Sequence, residues 1–272
     1  MPEIPEIETV RYLLEQKVRG QIIKEVVIGR EKSLNVTSGH FITAVTGQQV
    51  TQVRRRAKQI ILSLANRHSL IIHFMLEGYG RLFYPGEPID GRPSVAIRLH
   101  SGETLAFFRL NLGYLHLVPT DNLADMPALA GLGPEPLSPQ FTQDVFLERL
   151  SHRKAMIKPL LMKQEFIAGI GNVYSNETLF CSKIRPERNT ATLTGQEQIN
   201  LYRCIREILT RATALGGVYE KKFCSDDRLT GGFAPCLKVA YRTGQPCFIC
   251  GTLIETGRIG GRNAFYCPVC QH

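Results

Sequence analysis

Residues 60–74 read Ile-Ile-Leu-Ser-Leu-Ala-Asn-Arg-His-Ser-Leu-Ile-Ile-His-Phe. Two short apolar runs, Ile60 to Leu64 and Leu70 to Phe74, flank a polar break that contains Asn66 and Ser69. Short runs rich in isoleucine and bounded by turn-forming residues are typical of β-strands. This stretch therefore predicts two strands that follow each other along the chain.

Similar runs continue on both sides, between residues 22 and 118, separated by Gly, Pro, Asn and Ser. They are Ile22 to Ile28, Val95 to Leu99, Leu105 to Phe108 and Tyr114 to Val118. Repeated short strands joined by turns predict an antiparallel β-sandwich or barrel. Ahead of them, apolar side chains recur at helical spacing from Ile4 to Arg19, and Gly20 predicts the end of that helix.

The pattern becomes helical in the second half of the chain. Residues 119–139 are rich in Pro, Gly and Ala and predict an interdomain connection. Helical spacing then recurs in four segments: Thr142 to Leu150, Ala155 to Lys163, Val173 to Cys181 and Thr194 to Leu215. Thr194 and Glu197 have the spacing of a capping box. Residues 218–240 have weak periodicity and contain Gly231-Gly232, so we expect a mobile loop there.

Charge is unevenly spread along the 272 residues, whose net charge is +9. Residues 1–150 carry a net charge of +1, and residues 151–272 carry +8. This basic half favours a polyanionic partner, nucleic acid first, although a basic solvated surface is the plain alternative. There is no apolar run of membrane-spanning length and no apolar signal-peptide core at the N-terminus.

Four of the eight cysteines form the pattern Cys247-x2-Cys250-x16-Cys267-x2-Cys270. Two such pairs can close a tetrahedral thiolate site with no open position, which predicts one structural Zn²⁺. Unmetallated cysteines or two disulfides are the alternative. The other four, Cys181, Cys204, Cys224 and Cys236, show no disulfide framework, which favours a reducing, cytosolic setting.

The chain opens with Met1-Pro2-Glu3. Removal of Met1 would make the Pro2 nitrogen a secondary amine with a pKa of roughly 7.7–8, which is partly neutral and nucleophilic. Attack on a sugar aldehyde carbon would give a cationic iminium, with Glu3 placed to move protons. The plain alternative is that Pro and Glu open a helix.

Two further motifs could contact phosphate. Gly169-Ile170-Gly171-Asn172 precedes a helix whose first N–H groups can bind an anion, with Asn172 as a side-chain donor at the cap. A tight interhelix turn is the alternative. The basic run Arg54 to Lys58 precedes an apolar strand, and Lys58 could hold phosphate or transfer protons. A solvated charged face is the alternative there.

In this order the motifs resemble the formamidopyrimidine-DNA glycosylase and endonuclease VIII family of bacterial base-excision repair, over nearly the whole chain. The family's shared elements are an opening Pro-Glu, a basic run ending in Lys, an Arg-Lys…Ile-Lys-Pro segment, Gly-Ile-Gly-Asn-x-Tyr and a four-cysteine zinc finger. Their counterparts here are Pro2-Glu3, Arg55-Arg56-Ala57-Lys58, Arg153-Lys154…Ile157-Lys158-Pro159, residues 169–174, and the four cysteines with Arg262 shortly before the third, Cys267.

The resemblance implies an α+β multidomain fold. It implies an N-terminal catalytic β-sandwich with a flanking helix over residues 1–120, then a linker over 121–139. A helix–two-turn–helix DNA-binding domain with the mobile loop would cover 140–240, and a zinc-finger β-hairpin would cover 241–272. DNA would lie in the cleft between the domains, and the protein would be a cytoplasmic, nucleoid-associated bacterial monomer with no membrane partner.

The implied activity is that of a bifunctional DNA glycosylase and AP lyase acting on double-stranded DNA with oxidised bases or abasic sites. Pro2 would attack sugar C1′, and Glu3 would protonate the ring oxygen. Lys58 would serve the first elimination or orient the nucleophile, and Arg262 would bind the phosphate and assist the second elimination. Lys154, Asn172, Leu76, Asn111 and Arg92 would contact DNA. Glu6 matches a family carboxylate near the nucleophile, and an ordinary first-turn acid is its alternative.

The resemblance weakens at the side chains that fill the gap left by the extruded base. Leu76 takes the first wedge position, as in endonuclease VIII, while Asn111 and Leu112 stand where an Arg and a Phe are expected. Loss of an Arg fork weakens readout of the opposite base. Two alternatives remain: a non-catalytic or weakly catalytic DNA-damage binder on this scaffold, and a plain zinc-ribbon nucleic-acid adaptor.

Overall fold

The computed structural model describes residues 1–272 as two compact units. Unit 1 comprises Met1–Ala130 and Gly216–Gly231, and unit 2 comprises Gly131–Leu215 and Gly232–His272. The chain thus leaves unit 1, forms most of unit 2, and comes back for sixteen residues. The sequence placed residues 216–231 in the helical domain, whereas the structure groups them with the sheets.

Unit 1 contains two four-stranded antiparallel sheets. Its strands are β1 Ile23–Ile28, β2 Val50–Arg56, β3 Gln59–Leu64, β4 His68–His73, β5 Tyr79–Phe83, β6 Val95–Leu99, β7 Thr104–Phe108 and β8 Tyr114–Pro119. One sheet has the order β1-β6-β7-β5 and the other has β2-β3-β4-β8. Residues 60–74 form most of the central strand pair β3–β4, in which Ile61 lies opposite Ile71.

A single apolar core is shared by the two sheets. Ile60 and Ile72 of one sheet belong to the same buried cluster as Val95 and Ile97 of the other. Helix α1 (Ile4–Lys17) adds Leu14 to this cluster, and α2 (Ser38–Val45) adds its own apolar face. The predicted β-sandwich with a flanking helix is therefore confirmed.

Three elements of unit 1 do not follow from the pattern of apolar residues: α2, β2 and β5. Strand β2 ends in the arginines of the basic run, so its sequence is not an apolar run of the kind that predicts a strand. Strand β5 contains Gly80, where an added Cβ would lie 3.3 Å from the Phe107 ring. The ring of Phe107 therefore packs close to the backbone of β5 at a position that has no side chain. Short helices and strands whose apolar residues do not recur at the expected spacing cannot be predicted from that spacing.

The returning segment of unit 1 is anchored in the core. Phe223 and Cys224 belong to the main buried cluster, and the Phe223 carbonyl accepts the Leu82 N–H at 2.7 Å. Asp226 accepts hydrogen bonds at 2.8 Å from both the Lys17 ammonium and the Tyr84 hydroxyl. This part of the loop expected to be mobile therefore packs as a structural element.

Unit 2 contains four α-helices and one β-hairpin. They are α3 Gln143–Ser151, α4 Ile157–Met162, α5 Asn172–Cys181, α6 Gly195–Ala214, β9 Glu255–Ile259 and β10 Arg262–Tyr266. The capping box predicted at the start of α6 is confirmed, with reciprocal bonds between Thr194 and Glu197. None of the helices of the chain has both the length and the apolar composition needed to cross a membrane.

The Glu177 side chain ties α5 to the segment that leads into the hairpin. It is 1% exposed and accepts the N–H groups of Lys238, Val239 and Ala240 at 2.8–2.9 Å. Burial raises the pKa of the Glu177 carboxyl, and the three N–H donors oppose that shift. A buried carboxylate surrounded by backbone donors fixes both segments, because either one alone would leave unpaired polar groups.

Cys181 and Cys204 form a disulfide, which corrects the expectation that these cysteines have no framework. The bond joins the last residue of α5 to the middle of α6, with the two Cα atoms 5.8 Å apart. Nothing in the spacing of 23 residues reveals the pair, because helix packing and not sequence proximity brings the two sulfurs together.

Glu177→Gln should lower the free energy of unfolding by about 1–3 kcal/mol, because the amide cannot accept all three backbone N–H groups. Urea unfolding followed by circular dichroism measures the change. The exposed Glu148→Gln on α3 is the matched control and should change stability by less than about 0.5 kcal/mol. Equal effects of the two substitutions would contradict the anchoring role of Glu177.

Candidate active site and nucleic-acid interface

The start of the chain is held by a buried carboxylate. Glu3 caps α1, and its N–H donates to Glu6 Oε2 at 2.8 Å. The other oxygen, Oε1, accepts the Val218 N–H at 2.8 Å. Gly217 has a φ of +70°, which favours glycine, and a Cβ there would lie 2.2 Å from Glu6 Oε1 and would displace the carboxylate. Glu6 is thus a first-turn acid that also positions the residues around the N-terminus.

The α-amino group of the chain lies among charged side chains. Burial lowers the pKa of the Met1 amino group below its ordinary value, Glu3 and Glu6 raise it, and Lys58 lowers it. Lys58, Glu3 and Glu6 therefore lie near enough to this amino group to act on its pKa. With Met1 in place the Pro2 nitrogen is an amide, and the Pro2 side chain is buried.

Lys58 lies at the tight turn between β2 and β3. Ala57 immediately before it has a φ of +51°, and the Lys58 side chain is buried. Burial, and then the nearby Lys58 charge, lowers the pKa of His73 to about 4. His73 is therefore neutral at pH 7 and adds no positive charge beside Lys58. The sequence analysis missed this neighbour, because His73 stands at the end of an ordinary apolar run.

The two loops singled out for the wedge meet in unit 1. Leu76 and Leu112 are 51% and 65% exposed, and they line one pocket of about 260 Å³. Asn111 lines the same pocket, together with Glu77 and Arg109. Together the two exposed leucines give these adjoining loops a small apolar surface.

Arg92 is placed elsewhere in unit 1. It is exposed and lines a different pocket, of about 370 Å³, together with Ile89 and Arg98. The structure does not bring Arg92 to the pocket of Leu76 and Asn111. The cation that does line that pocket is Arg109, which the sequence analysis did not name.

In unit 2, Asn172 is the first residue of α5, and Gly171 is the N-cap. This corrects the expectation that Asn172 caps the helix. Its Oδ1 accepts a hydrogen bond from Lys158 Nζ at 2.6 Å, and Lys158 is 0% exposed. The buried lysine therefore sets the orientation of the asparagine, while Lys154 is exposed just ahead of α4.

The hairpin of unit 2 presents Arg262 beside its tip. Gly260 and Gly261 join the two strands with φ values of +57° and +74°, as a two-residue type I′ turn requires. A Cβ on Gly260 would lie 2.5 Å from Pro159 Cγ, so the turn packs against α4. The Asn176 Oδ1 accepts the Phe265 N–H at 3.2 Å, which ties the hairpin to α5 as well. The hairpin is thus packed against α4 and hydrogen-bonded to α5.

The four cysteines of the predicted zinc site converge. All four sulfurs lie within 4.8 Å of one another, with Cys247 to Cys270 at 3.9 Å and Cys250 to Cys267 at 3.5 Å. A tetrahedral site with Zn–S bonds of about 2.3 Å places its sulfurs about 3.8 Å apart. The residues therefore fit one Zn²⁺ with four thiolates and no open position, which makes the metal structural.

Three family models match successive parts of the chain. Residues 1–110 match the formamidopyrimidine-DNA glycosylase N-terminal domain, and residues 132–223 match the H2TH domain of the same enzyme. Residues 244–272 match the zinc finger found in FPG and IleRS. A formamidopyrimidine-DNA glycosylase of Pelotomaculum thermopropionicum is 36% identical over 100% of this chain and 99% of its own length. The chain belongs to the formamidopyrimidine-DNA glycosylase family.

Other family members extend this agreement. The formamidopyrimidine-DNA glycosylase of Photorhabdus laumondii is 35% identical, with 100% of both chains covered. Lactococcus lactis Fpg, solved in complex with DNA that contains N7-benzyl-Fapy-dG, superposes with a TM-score of 0.92 at 31% identity over 100% of both chains. The same enzyme has been solved with DNA containing an abasic site, again with a TM-score of 0.92 at 31% identity and 99% coverage of both chains. The family, the fold class and the zinc finger expected from the sequence are therefore confirmed.

Metal analysis should give about one equivalent of zinc per chain, as expected for a closed four-thiolate site. Cys267→Ser should lose the metal and unfold the C-terminal hairpin, because so short a segment draws its folding free energy from metal binding. Cys236→Ser is the matched control, since Cys236 is partly exposed and outside the cluster, and it should keep the full equivalent. Retention of zinc by Cys267→Ser would contradict the assigned ligand set.

Proposed function

We propose that this protein is a bifunctional DNA N-glycosylase and AP lyase that acts on double-stranded DNA with damaged bases or abasic sites. The observation that supports this proposal best is the cluster around the N-terminus, where Glu3, Glu6 and Lys58 act on the pKa of the amino group. The relatives named as formamidopyrimidine-DNA glycosylases, and the Lactococcus lactis complexes with damaged DNA, support the substrate class.

Removal of Met1 creates the nucleophile in this proposal. The Pro2 nitrogen becomes a secondary amine next to Glu3, and burial there favours its neutral form. Its lone pair attacks sugar C1′, and the C1′–N bond to the base breaks, with the electron pair leaving on the base. The Glu3 carboxylate takes the N–H proton from the Pro2 nitrogen and gives it to the ring oxygen as the C1′–O bond breaks. The nitrogen lone pair then forms the C=N bond of a cationic iminium on Pro2, and the departed base takes a proton from water.

The lyase step uses the iminium as an electron sink. The carbon next to C1′ loses a proton, and the 3′ phosphate leaves with the electron pair of its C–O bond. Lys58 serves this first elimination, because its charge acts on the N-terminal amino group and on His73, which is neutral at pH 7. Arg262 binds phosphate and assists the second elimination, on the 5′ side. Water then releases the sugar fragment from Pro2.

Phosphate binding in unit 2 follows from the orientation of Asn172. Since Lys158 occupies Oδ1, the Nδ2 amide is the part of the side chain oriented to donate to a phosphate. The first N–H groups of α5 add donors at a helix N-terminus. Lys154 and Arg262 are exposed cations, and we assign both of them to contacts with the phosphate backbone of the same DNA.

Leu76 and Leu112 fill the space that the extruded nucleotide leaves, and Asn111 faces the orphaned base in this proposal. Leucine fills space but forms no hydrogen bond, and asparagine lacks the cationic fork of arginine. Discrimination among opposite bases should therefore be weak. We assign Arg92 to an outlying DNA contact, because it lines a different pocket.

A second candidate is a DNA-damage binder with little or no catalysis on the same scaffold. One observation favours it: Asn111 and Leu112 stand at the wedge positions where an Arg and a Phe are expected. In either case we expect a monomer that works in the bacterial cytoplasm at the nucleoid.

Borohydride should trap the processed protein covalently on abasic DNA, and peptide mapping should place the adduct on residue 2. A form that retains Met1, verified by intact mass, should be trapped about 10³-fold less or worse, because the nucleophile is missing. Lys58→Gln, with Met1 removed, tests the alternative amine and should still be trapped at residue 2. Undiminished trapping of the form that retains Met1 would contradict the assignment.

Single-turnover excision across a lesion panel should give a definite order. Abasic DNA should be cleaved well, strongly unstacked oxidised pyrimidines next, and 8-oxoguanine opposite cytosine poorly, because opening a well-stacked base costs a few kcal/mol. Asn111→Arg with Leu112→Phe should raise activity on 8-oxoguanine. Fast, cytosine-dependent removal of 8-oxoguanine by the unsubstituted protein would show that the altered wedge does not set the preference.

A further inference from the structure

The Cys181–Cys204 disulfide lines a surface pocket that plays no part in the proposed DNA chemistry. The pocket has a volume of about 270 Å³ and lies at the end of α5, beside α6. Its lining residues are Cys181, Ser182, Lys183, Asn200, Arg203, Cys204 and Glu207. Both sulfur-bearing residues therefore border a space large enough for a small molecule to approach them.

The lining of this pocket suits an anionic ligand. Two exposed cations line it, Lys183 two residues after Cys181 and Arg203 next to Cys204, against one acid, Glu207. Asn200 adds a polar side chain. We propose that Cys181 and Cys204 form a reversible redox pair that exchanges with an anionic low-molecular-weight thiol bound in this pocket.

Accessibility determines which sulfur reacts first. Cys181 is partly exposed, whereas Cys204 is 7% exposed. The incoming thiolate attacks Cys181 Sγ, the Cys181–Cys204 bond breaks, and its electron pair leaves on Cys204 Sγ, which takes a proton from water. A second thiolate then attacks the added sulfur, releases Cys181 as a thiolate, and leaves as the small-molecule disulfide. The reverse sequence, driven by that disulfide, reforms the bond.

The bond lies where three parts of unit 2 meet. Just past Cys181, the Lys183 carbonyl accepts the His272 N–H at 3.1 Å, and the Ile184 carbonyl accepts Gln271 Nε2 at 2.8 Å. Gln271 also accepts the N–H of the zinc ligand Cys267 at 2.9 Å. Closing the disulfide therefore links α5, α6 and the C-terminal zinc finger, and it removes the conformational freedom of a 23-residue loop from the unfolded chain.

The experiment uses the zinc-loaded full chain in glutathione redox buffers, with peptide mapping of each cysteine. Oxidised glutathione should close the Cys181–Cys204 bond and raise Tm by about 5–10 °C, and reduced glutathione should reverse both changes. Cys204→Ser should accept one glutathione on Cys181, while Cys181→Ser should leave the buried Cys204 unmodified.

A neutral thiol separates recognition by the pocket from plain exposure of the sulfur. Lys183→Gln with Arg203→Gln should slow exchange with glutathione by about five- to tenfold, because two attractive charges are lost, and should leave exchange with 2-mercaptoethanol unchanged. Equal rates for the unsubstituted and substituted proteins, or equal slowing with both thiols, would overturn the binding role of the pocket. Cysteines that stay reduced in oxidised glutathione would overturn the redox pair, whatever the protein does to DNA.

Discussion

Unit 1 depends on a buried carboxylate in the first turn of the chain. A charged group away from water must be paired or hydrogen-bonded, since leaving it unsatisfied costs several kcal/mol. Glu6 meets this requirement with the N–H groups of Glu3 and Val218, which are 215 residues apart in the chain. These bonds join the start of α1 to the segment that returns to unit 1, where Gly217 leaves room for the carboxylate. The groups around residue 2 are thereby held in place before any substrate binds.

Unit 2 contains two buried charged residues that are satisfied by hydrogen bonds in the same way. Lys158 and Glu177 are 0% and 1% exposed, and each forms hydrogen bonds with another segment of the unit: Lys158 with Asn172, and Glu177 with the N–H groups of residues 238–240. Lys158 orients Asn172 at the start of α5, and Glu177 holds the chain that leads to the zinc finger. Preorganised polar groups of this kind cost little further reorganisation when a ligand binds. The same burial makes each of them a sensitive point for stability.

Much of the fold and part of the candidate site could be predicted from local pattern. Alternating and continuous apolar runs predicted β3 and β4, helical spacing predicted α5 and α6, and the cysteine spacing predicted the zinc ligands. The sequence analysis missed α2, β2 and β5, where the local period is short, basic or broken by a close-packed glycine. It missed the roles of Lys158 and His73 as well, because a charged or polar residue in a run carries no signal of burial.

The sequence alone determined what depends on neighbours a few residues apart: strand and helix periods, the Thr194 capping box, and two knuckles that can close on one metal ion. Only the tertiary structure decided which distant segments share a buried polar group. It placed residues 216–231 with the sheets, paired Cys181 with Cys204, made Gly171 rather than Asn172 the cap of α5, and brought Arg109 to the pocket of Leu76. The physical reason is that satisfying a buried charge, or joining two sulfurs, depends on positions in space that many different sequence separations can produce.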